Sequence, residues 1–377
     1  MSRSPVLRLV NLLPRELVVD NFAGAGGASN GIEAAIGRPV DIAINHDATA
    51  LAVHQANHPE TLHMQKDVWE VDPRVACGSR PVGLAWFSPA CTHFSRAKGT
   101  TNPLCAKIRG LAWVVVRWAR EVRPRVIVVE NVEEWATWGP LGPDGRPRAD
   151  KLGRTFRSWC AKLSDLGYSL DFQSLVAADY GTPTLRRRLF LVARRDHAPI
   201  VWPAPTHGPG RSPYHTAAEC IRWDIPCPSI FDRDRPLAEA TLRRIAAGIA
   251  RYVLRGHPFI LPLTHQGDVR VHGLDEPVRT ITGAHRGELA LCSPFIVRHG
   301  HYSTITGAGL EPGCGAGTFR GQSLERPLST VCATEDKHLV VPIILIALIG
   351  NSVCAQVAAA VVGANVGTPR QLGLFVA

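Results

Sequence analysis

A chain of 377 residues with 45% hydrophobic side chains can bury a sizeable core and divides naturally into about two domains. Its formal charge of +10, carried mostly by Arg, suits a polyanionic partner, because each phosphate neutralised releases counterions. Ten scattered cysteines without a CxxC pair argue against a disulfide framework, the polar and basic start lacks a signal-peptide core, and the run Leu339 to Ile349, interrupted by Pro342, is too short to span a bilayer. The expectation is a reduced, cytoplasmic, monomeric protein without a membrane segment.

Short apolar runs at Leu17 to Val19, Asp41 to Ile44, Gly83 to Phe87 and Val126 to Val129 predict buried strands. Between them, Ala48 to Asn57, Lys107 to Val122 and Leu152 to Leu166 carry helical patterns. The alternation predicts an α/β fold with a doubly wound, mostly parallel sheet. Ser169 to Val176 and Leu189 to Ala193, joined by a loop with Tyr180, Gly181 and Pro183, predict an antiparallel edge on that sheet.

From Val201 the character shifts to Pro, Gly, His and short strands, which sets a boundary near residue 200. Leu274-Asp275-Glu276-Pro277-Val278-Arg279-Thr280-Ile281 recurs as Leu324-Glu325-Arg326-Pro327-Leu328-Ser329-Thr330-Val331. Related starts precede the copies at Pro258-Phe259-Ile260 and Pro294-Phe295-Ile296, and a third, Pro342-Ile343-Ile344, runs directly into Gly350-Asn351-Ser352. Val353 to Asn365 reads as an Ala/Val-rich amphipathic helix that packs back on the first domain. The expected organisation is residues 1–200 completed by 343–377, with a smaller, mainly β domain over 201–342.

Asp20-Asn21-Phe22-Ala23-Gly24-Ala25-Gly26-Gly27-Ala28-Ser29 follows a strand and opens a helix, where doubly wound sheets bind ligands. A dinucleotide fingerprint requires Gly at position 29, occupied here by Ser29, so the pattern favours a nucleoside cofactor without a pyrophosphate. Asn45, His46 and Asp47 end the second strand, where a carboxylate commonly grips ribose hydroxyls, and Asp67-Val68 follows the next. Either acid would serve equally well as a helix cap. Ser88-Pro89-Ala90-Cys91-Thr92-His93-Phe94-Ser95 sets Cys91 on a loop at the carboxyl edge of the sheet, and Glu130-Asn131-Val132 brings an acid to the same edge. Thr184-Leu185-Arg186-Arg187-Arg188 leads into a strand, so Arg186 and Arg188 share one side and Arg187 takes the other. His46, His54, His58 and His63 raise the alternative of a zinc site, but no cysteine pair flanks them, and no metal is expected.

These blocks, in this order, resemble those of the cytosine-5 DNA methyltransferases of bacteria and phages. The resemblance implies a Rossmann-like fold, S-adenosylmethionine as cofactor and double-stranded DNA as partner, with a cognate restriction endonuclease as a second candidate partner. It assigns Cys91 as nucleophile, Glu130 and Asn131 to the base, and Arg186 and Arg188 to completing the site. Cofactor contacts fall on Phe22, Ala23, Gly24, Gly26, Gly27, His46, Asp47, Asp67, Val68, Pro89, Asn351, Ser352 and Val353. Residues 201–342 resemble a target-recognition region. The chain departs from the pattern at Ala90, where a second proline is usual, at His46 in place of the ribose-binding acid, and at Thr184 in place of glutamine. Pro342 to Ile349 lacks the family's helical segment and reads as an internal deletion. An RNA cytosine methyltransferase and a non-catalytic nucleic-acid binding protein are the competing readings.

Overall fold

The structure is a computed structural model that describes residues 15–90, 109–142, 147–220, 239–251, 258–262, 270–279, 289–292, 295–299, 321–323, 337–340, 344–346 and 353–366. Cys91, Asn351, Ser352 and the second repeat copy, 324–331, lie outside the described residues.

The apolar runs form the strands expected of them. β1 (Leu17–Asn21), β2 (Ile42–Asn45), β3 (Leu62–Gln65), β4 (Val82–Phe87), β5 (Val126–Asn131), β6 (Ser169–Val176) and β7 (Arg187–Arg194) build one seven-stranded sheet in the order β3-β2-β1-β4-β5-β7-β6. The first five run parallel, and β7 pairs antiparallel with both β5 and β6. The strand bearing the arginines is therefore one place in from the edge, which β6 occupies. Val18, Leu84, Trp86, Val126 and Val128 enter one apolar cluster, while Leu17, Val19, Ala85, Phe87, Ile127 and Val129 enter another. This alternation with both faces buried is what a parallel sheet covered by helices requires.

Helices α1 (Gly27–Ile36), α2 (Ala48–Asn57), α3 (Pro73–Cys77), α4 (Trp113–Glu121) and α5 (Arg154–Asp165) fill the crossovers, and α6 (Glu239–Arg251) lies further along the chain. On one face α4 and α5 supply Val114, Val115, Trp118, Phe156 and Trp159, with Trp135 packed among them. On the other, α1 packs against α7 (Ala355–Asn365), the returning C-terminal helix. Every residue from Val357 to Val362 in α7 is buried, so the helix is apolar all round rather than amphipathic. It is enclosed by α1 on one side and the short 3-10 turn Ala177–Tyr180 on another. Gly31 permits this closeness, because a Cβ there would stand 2.6 Å from Ala358 Cβ and nearer still to Ala355 O. Asn365 fixes the far end of α7, its Nδ2 donating to Val201 O at 2.9 Å and its Oδ1 accepting from Val201 N at 3.1 Å.

The chain divides into two compact units, one of Met1–Pro213 with Asn351–Ala377 and one of Tyr214–Gly350. In the second unit, β8 (Phe259–Pro262), β9 (His272–Gly273), β10 (Leu289–Cys292) and β14 (Ile344–Ile346) form one antiparallel sheet, and β11 (Phe295–His299), β12 (Gly321–Ser323) and β13 (Lys337–Val340) form another. The three repeat starts contribute strands β8, β11 and β14. In the first copy, Leu274 and Val278 are buried with Ile260, Leu289 and Leu291, so the apolar positions of that copy are core positions. Of the segment read as a deletion junction, 344–346 is strand β14 and the remainder lies outside the described residues.

Candidate active site

Strands β2 and β3 lie to one side of β1 and strands β4 and β5 to the other. The loops leaving β1 and β4 therefore part in opposite directions and open a crevice at the carboxyl edge, the place where doubly wound sheets bind ligands.

After β1, Phe22 takes φ 63°, Gly24 takes φ 55° and Gly26 takes φ 101°. Ala23 N donates to Ile44 O at 3.1 Å and Gly26 N to Ala23 O at 3.0 Å, which pins the turn against the end of β2. Gly26 is the N-cap of α1, and no side chain caps that helix start. A residue with a side chain fails at position 26 on two grounds: its φ lies in the left-handed region, and a Cβ would be 2.7 Å from His58 Nε2. The loop thus leaves a bare helix N-terminus facing the crevice.

The floor under this loop is polar and buried. Ser29 Oγ donates to Asp20 Oδ2 at 2.8 Å and lies 3.0 Å from His54 Nε2, and His54 Nδ1 lies 2.9 Å from His63 Nε2. His58 Nδ1 sits 3.0 Å from both carboxylate oxygens of Glu33. Burial pushes the Asp20 carboxyl up to about 7, with the Ser29 bonds opposing. Burial pulls His54 down to about 4, helped by His58 and His63. The three histidines are brought together, but by one another, Ser29 and Glu33. Among the described residues no group of His, Cys, Asp or Glu has the arrangement to hold a metal ion. This buried chain was not among the expected site residues. Its signal in the sequence is the acid that interrupts an otherwise apolar strand, Leu17-Val18-Val19-Asp20.

At the ends of β2 and β3 the expected cofactor residues are engaged locally. Asp47 is exposed and caps α2 by accepting from Ala50 N at 3.0 Å, while Asn45 Oδ1 accepts from Asp47 N at 2.9 Å. His46 is exposed beside them. Asp67 is also exposed and accepts from Trp69 N at 2.9 Å, and Val68 is buried in the apolar cluster.

Across the crevice, Ser88 N donates to Asn21 O at 3.3 Å, and Pro89 O accepts from Asn131 Nδ2 at 3.2 Å. The segment entering Cys91 is therefore tied to the ends of both β1 and β5. Glu130 follows the face of Val126 and Val128 and is 7% exposed. Its Oε1 lies 3.3 Å from Arg188 Nε and 3.8 Å from Arg186 Nη2. Burial raises the Glu130 carboxyl above its ordinary range, against the opposing pull of the two guanidinium groups. Arg187 points away to the exposed Glu133 at 3.7 Å, so the expected alternation holds. Thr184, standing where glutamine was expected, is buried and accepts from Arg186 N through its Oγ1 at 3.2 Å. Glu130, Arg186, Arg188, Phe190, Cys354 and Val357 line one small cavity. Cys354 was not anticipated there; its thiol is pushed up by burial, which makes it a poor nucleophile. Val353 is half-buried at the head of α7.

Residues 17–219 match the family model described as C-5 cytosine-specific DNA methylase. The chain is 30% identical over 213 residues to the type II methyltransferase M.SacI of Streptomyces achromogenes, covering 50% of this chain and 50% of that protein. It is 30% identical over 203 residues to M.AgeI of Thalassovita gelatinovora, covering 51% of this chain and 43% of that one. The chain thus spans about half the length of these curated relatives. Among solved structures, a Spodoptera frugiperda DNMT2 variant aligns with 62% of this chain and 65% of its own at 18% identity and a TM-score of 0.41. No helix among the described residues is long and apolar enough to cross a membrane.

Proposed function

We propose, on the premise that the chain belongs to the C-5 cytosine-specific DNA methylase family, that it methylates carbon 5 of a cytosine flipped out of duplex DNA. The observation that carries this reading is the buried carboxyl of Glu130 held between Arg186 and Arg188 at the strand edge where Asn131 grips the segment leading to Cys91. Cys91 supplies the thiolate that adds to carbon 6 of the base. Glu130, biased towards its protonated form by burial, donates to ring nitrogen 3 as the 5,6 double-bond pair shifts into the 4,5 bond and the 3,4 double-bond pair onto nitrogen 3, leaving an enamine whose carbon 5 is nucleophilic. Arg186 and Arg188 hold the base carbonyl and flanking phosphate. After methylation, nitrogen 3 returns its proton to Glu130 and the carbon 5 proton leaves to solvent as the thiolate is expelled from carbon 6, which regenerates both groups and restores the aromatic ring.

The glycine loop fits S-adenosylmethionine: its positive φ values at Phe22, Gly24 and Gly26 hold backbone close to the crevice, and the uncapped N-terminus of α1 offers amide donors. That cofactor would supply an electrophilic methyl group. Phe22 and the loop backbone would hold it from one side and Pro89 from the other, with Asn351, Ser352 and Val353 entering ahead of α7. The structure draws the polar ends of β2 and β3 into local turns through Oδ1 of Asp47 and of Asp67, so Oδ2 of each exposed carboxylate is the atom that would accept from a cofactor. The second unit is the candidate DNA-reading element, and a cognate restriction endonuclease is a candidate partner.

Duplex DNA with 5-fluorocytosine at the target position should trap a covalent adduct in the presence of S-adenosylmethionine, because fluorine blocks the last elimination. Cys91→Ser should abolish it; adduct from that variant at the full level would reassign the nucleophile. Glu130→Gln should lower methyl transfer by on the order of 100-fold. Transfer to RNA in preference to duplex DNA would overturn the substrate assignment.

A further inference from the structure

We propose that Ser29, His54 and His63 form a proton relay joining the buried carboxyl of Asp20, beneath the glycine loop, to solvent at the edge strand β3. Asp20, Ser29 and His54 are fully buried, whereas His63 is half-exposed. Three links of 2.8, 3.0 and 2.9 Å join them in an unbroken line from β1 through α1 and α2 to β3. Each is within ordinary hydrogen-bond length.

The line can be written in two complementary directions. With Asp20 ionised, His63 Nε2–H donates to His54 Nδ1, His54 Nε2–H donates to Ser29 Oγ, and Ser29 Oγ–H donates to Asp20 Oδ2. A proton arriving at His63 Nδ1 makes that ring cationic, and it releases its Nε2 proton to His54 Nδ1. His54 then gives its Nε2 proton to Ser29, and Ser29 gives its own to Asp20. Every N–H or O–H bond formed is matched by one broken, and the net result is one proton carried from water to Asp20. All three hydrogen bonds survive with donor and acceptor exchanged, so neither direction strands a buried group.

The surroundings fit such a line. His58, the C-cap of α2, faces the His54 ring at 4.5 Å between centroids and is itself held by Glu33 on α1, while His63 faces His54 at 4.9 Å. Burial and these two rings make a charged His54 costly, so it bridges without storing the proton. Asp20, whose Oδ1 has no partner among the described residues and which also faces Glu33, holds its proton far more firmly than an exposed acid. The resting place of the proton is therefore the group lying directly under the loop. A cationic ligand on that loop favours the carboxylate, so its binding near neutral pH should expel part of a proton equivalent, at most about one half, through the relay. This last coupling rests on the functional reading above; the relay does not.

Time-resolved infrared spectroscopy of the full chain after a pH jump reads the protonated Asp20 carboxyl directly, with Asp20→Asn as the blank. His63→Ala, a change at a half-exposed site that leaves the buried links intact, should slow the signal at least about tenfold, and free imidazole should restore it. An unchanged rate, or a slowed rate that imidazole leaves slow, would overturn the relay. His54→Phe should slow the signal without imidazole rescue. Calorimetry with S-adenosylmethionine in two buffers of different ionisation enthalpy, near pH 7, should show proton release in the wild type and less in Asp20→Asn. Binding without proton release would overturn the coupling, and absence of binding would strike the functional reading while the infrared rates still decide the relay.

Discussion

Replacing Gly31 by Ala tests the packing of α1 on α7 through the sign of its effect. In an exposed helix interior the change would raise stability by about 1 kcal/mol, because Ala gives up less backbone freedom than Gly. Here the new Cβ would meet Ala358 Cβ at 2.6 Å and Ala359 N at 2.8 Å, with Ala355 O closer still. Carbon contacts are comfortable near about 3.5 Å or beyond, so the helices must part by roughly 1 Å. Two of the three clashing atoms are backbone, and no rotamer change removes them. Parting the helices loosens the contacts that bury Val357, Val361 and Val362. Overpacking of this kind costs about 1–3 kcal/mol, and the propensity gain leaves a net loss of up to about 2 kcal/mol. Gly363→Ala on the facing helix is the control, since its Cβ would find only Ala35 Cβ at 4.0 Å. Urea unfolding followed by tryptophan fluorescence should therefore show a lower midpoint for Gly31→Ala and an equal or higher one for Gly363→Ala. A stabilised Gly31→Ala would refute the close approach of the two helices.

Two further predictions concern buried charge. Arg125 bridges the buried Glu16 at 2.6 Å and Asp196 at 3.2 Å, and since Asp196 keeps Arg194 at 2.7 Å, Arg125→Met removes a cation chiefly from Glu16 and should cost about 3 kcal/mol in urea unfolding. A loss below about 1 kcal/mol would show that this cluster is solvated rather than structural. Glu130 holds its proton more firmly folded than unfolded, so the native state binds more protons than the unfolded one over the interval between the two values. Wild-type stability should accordingly fall relative to Glu130→Gln as pH rises out of the ordinary carboxylate range. Parallel stability-against-pH curves for the two proteins would contradict a buried, destabilised Glu130 carboxylate.

The strands were legible because a parallel sheet buried on both faces leaves nearly continuous apolar runs, as in Val126-Ile127-Val128-Val129. The character of α7 was harder to read. Its Ala and Val residues fill a slot enclosed on several sides, and a helix enclosed that way has no polar stripe to betray which face is buried. The turns after β2 and β3 are ambiguous in another way. Asp47 and Asp67 stand where a ligand-binding acid belongs, yet an Asp at that point also caps its own backbone, and spacing alone does not separate the two uses. The histidines were visible as a group, but their bonding to Ser29 and Glu33 depends on α1 lying against α2, a tertiary fact with no local signature.

What unifies the candidate site is a rule of strand endings. β1 turns polar at Asp20-Asn21, β2 at Asn45 and β5 at Glu130-Asn131, and β4 passes into Ser88 immediately after Phe87. Because these strands run parallel, the polar endings gather on one edge, although the residues come from four distant parts of the chain. Alternation then sorts them: Asn131 reaches Pro89, while Glu130 turns to Arg186 and Arg188. A single-residue slip of β5 would exchange the two, sending the acid to Pro89 and the amide to the arginines. The register that joins Val129 to Phe87 and Glu130 to Phe190 is therefore what assigns each side chain its chemistry. It is secured by the fully buried side chains of Ile127 and Val128 on opposite faces, well below the edge where the chemistry is placed.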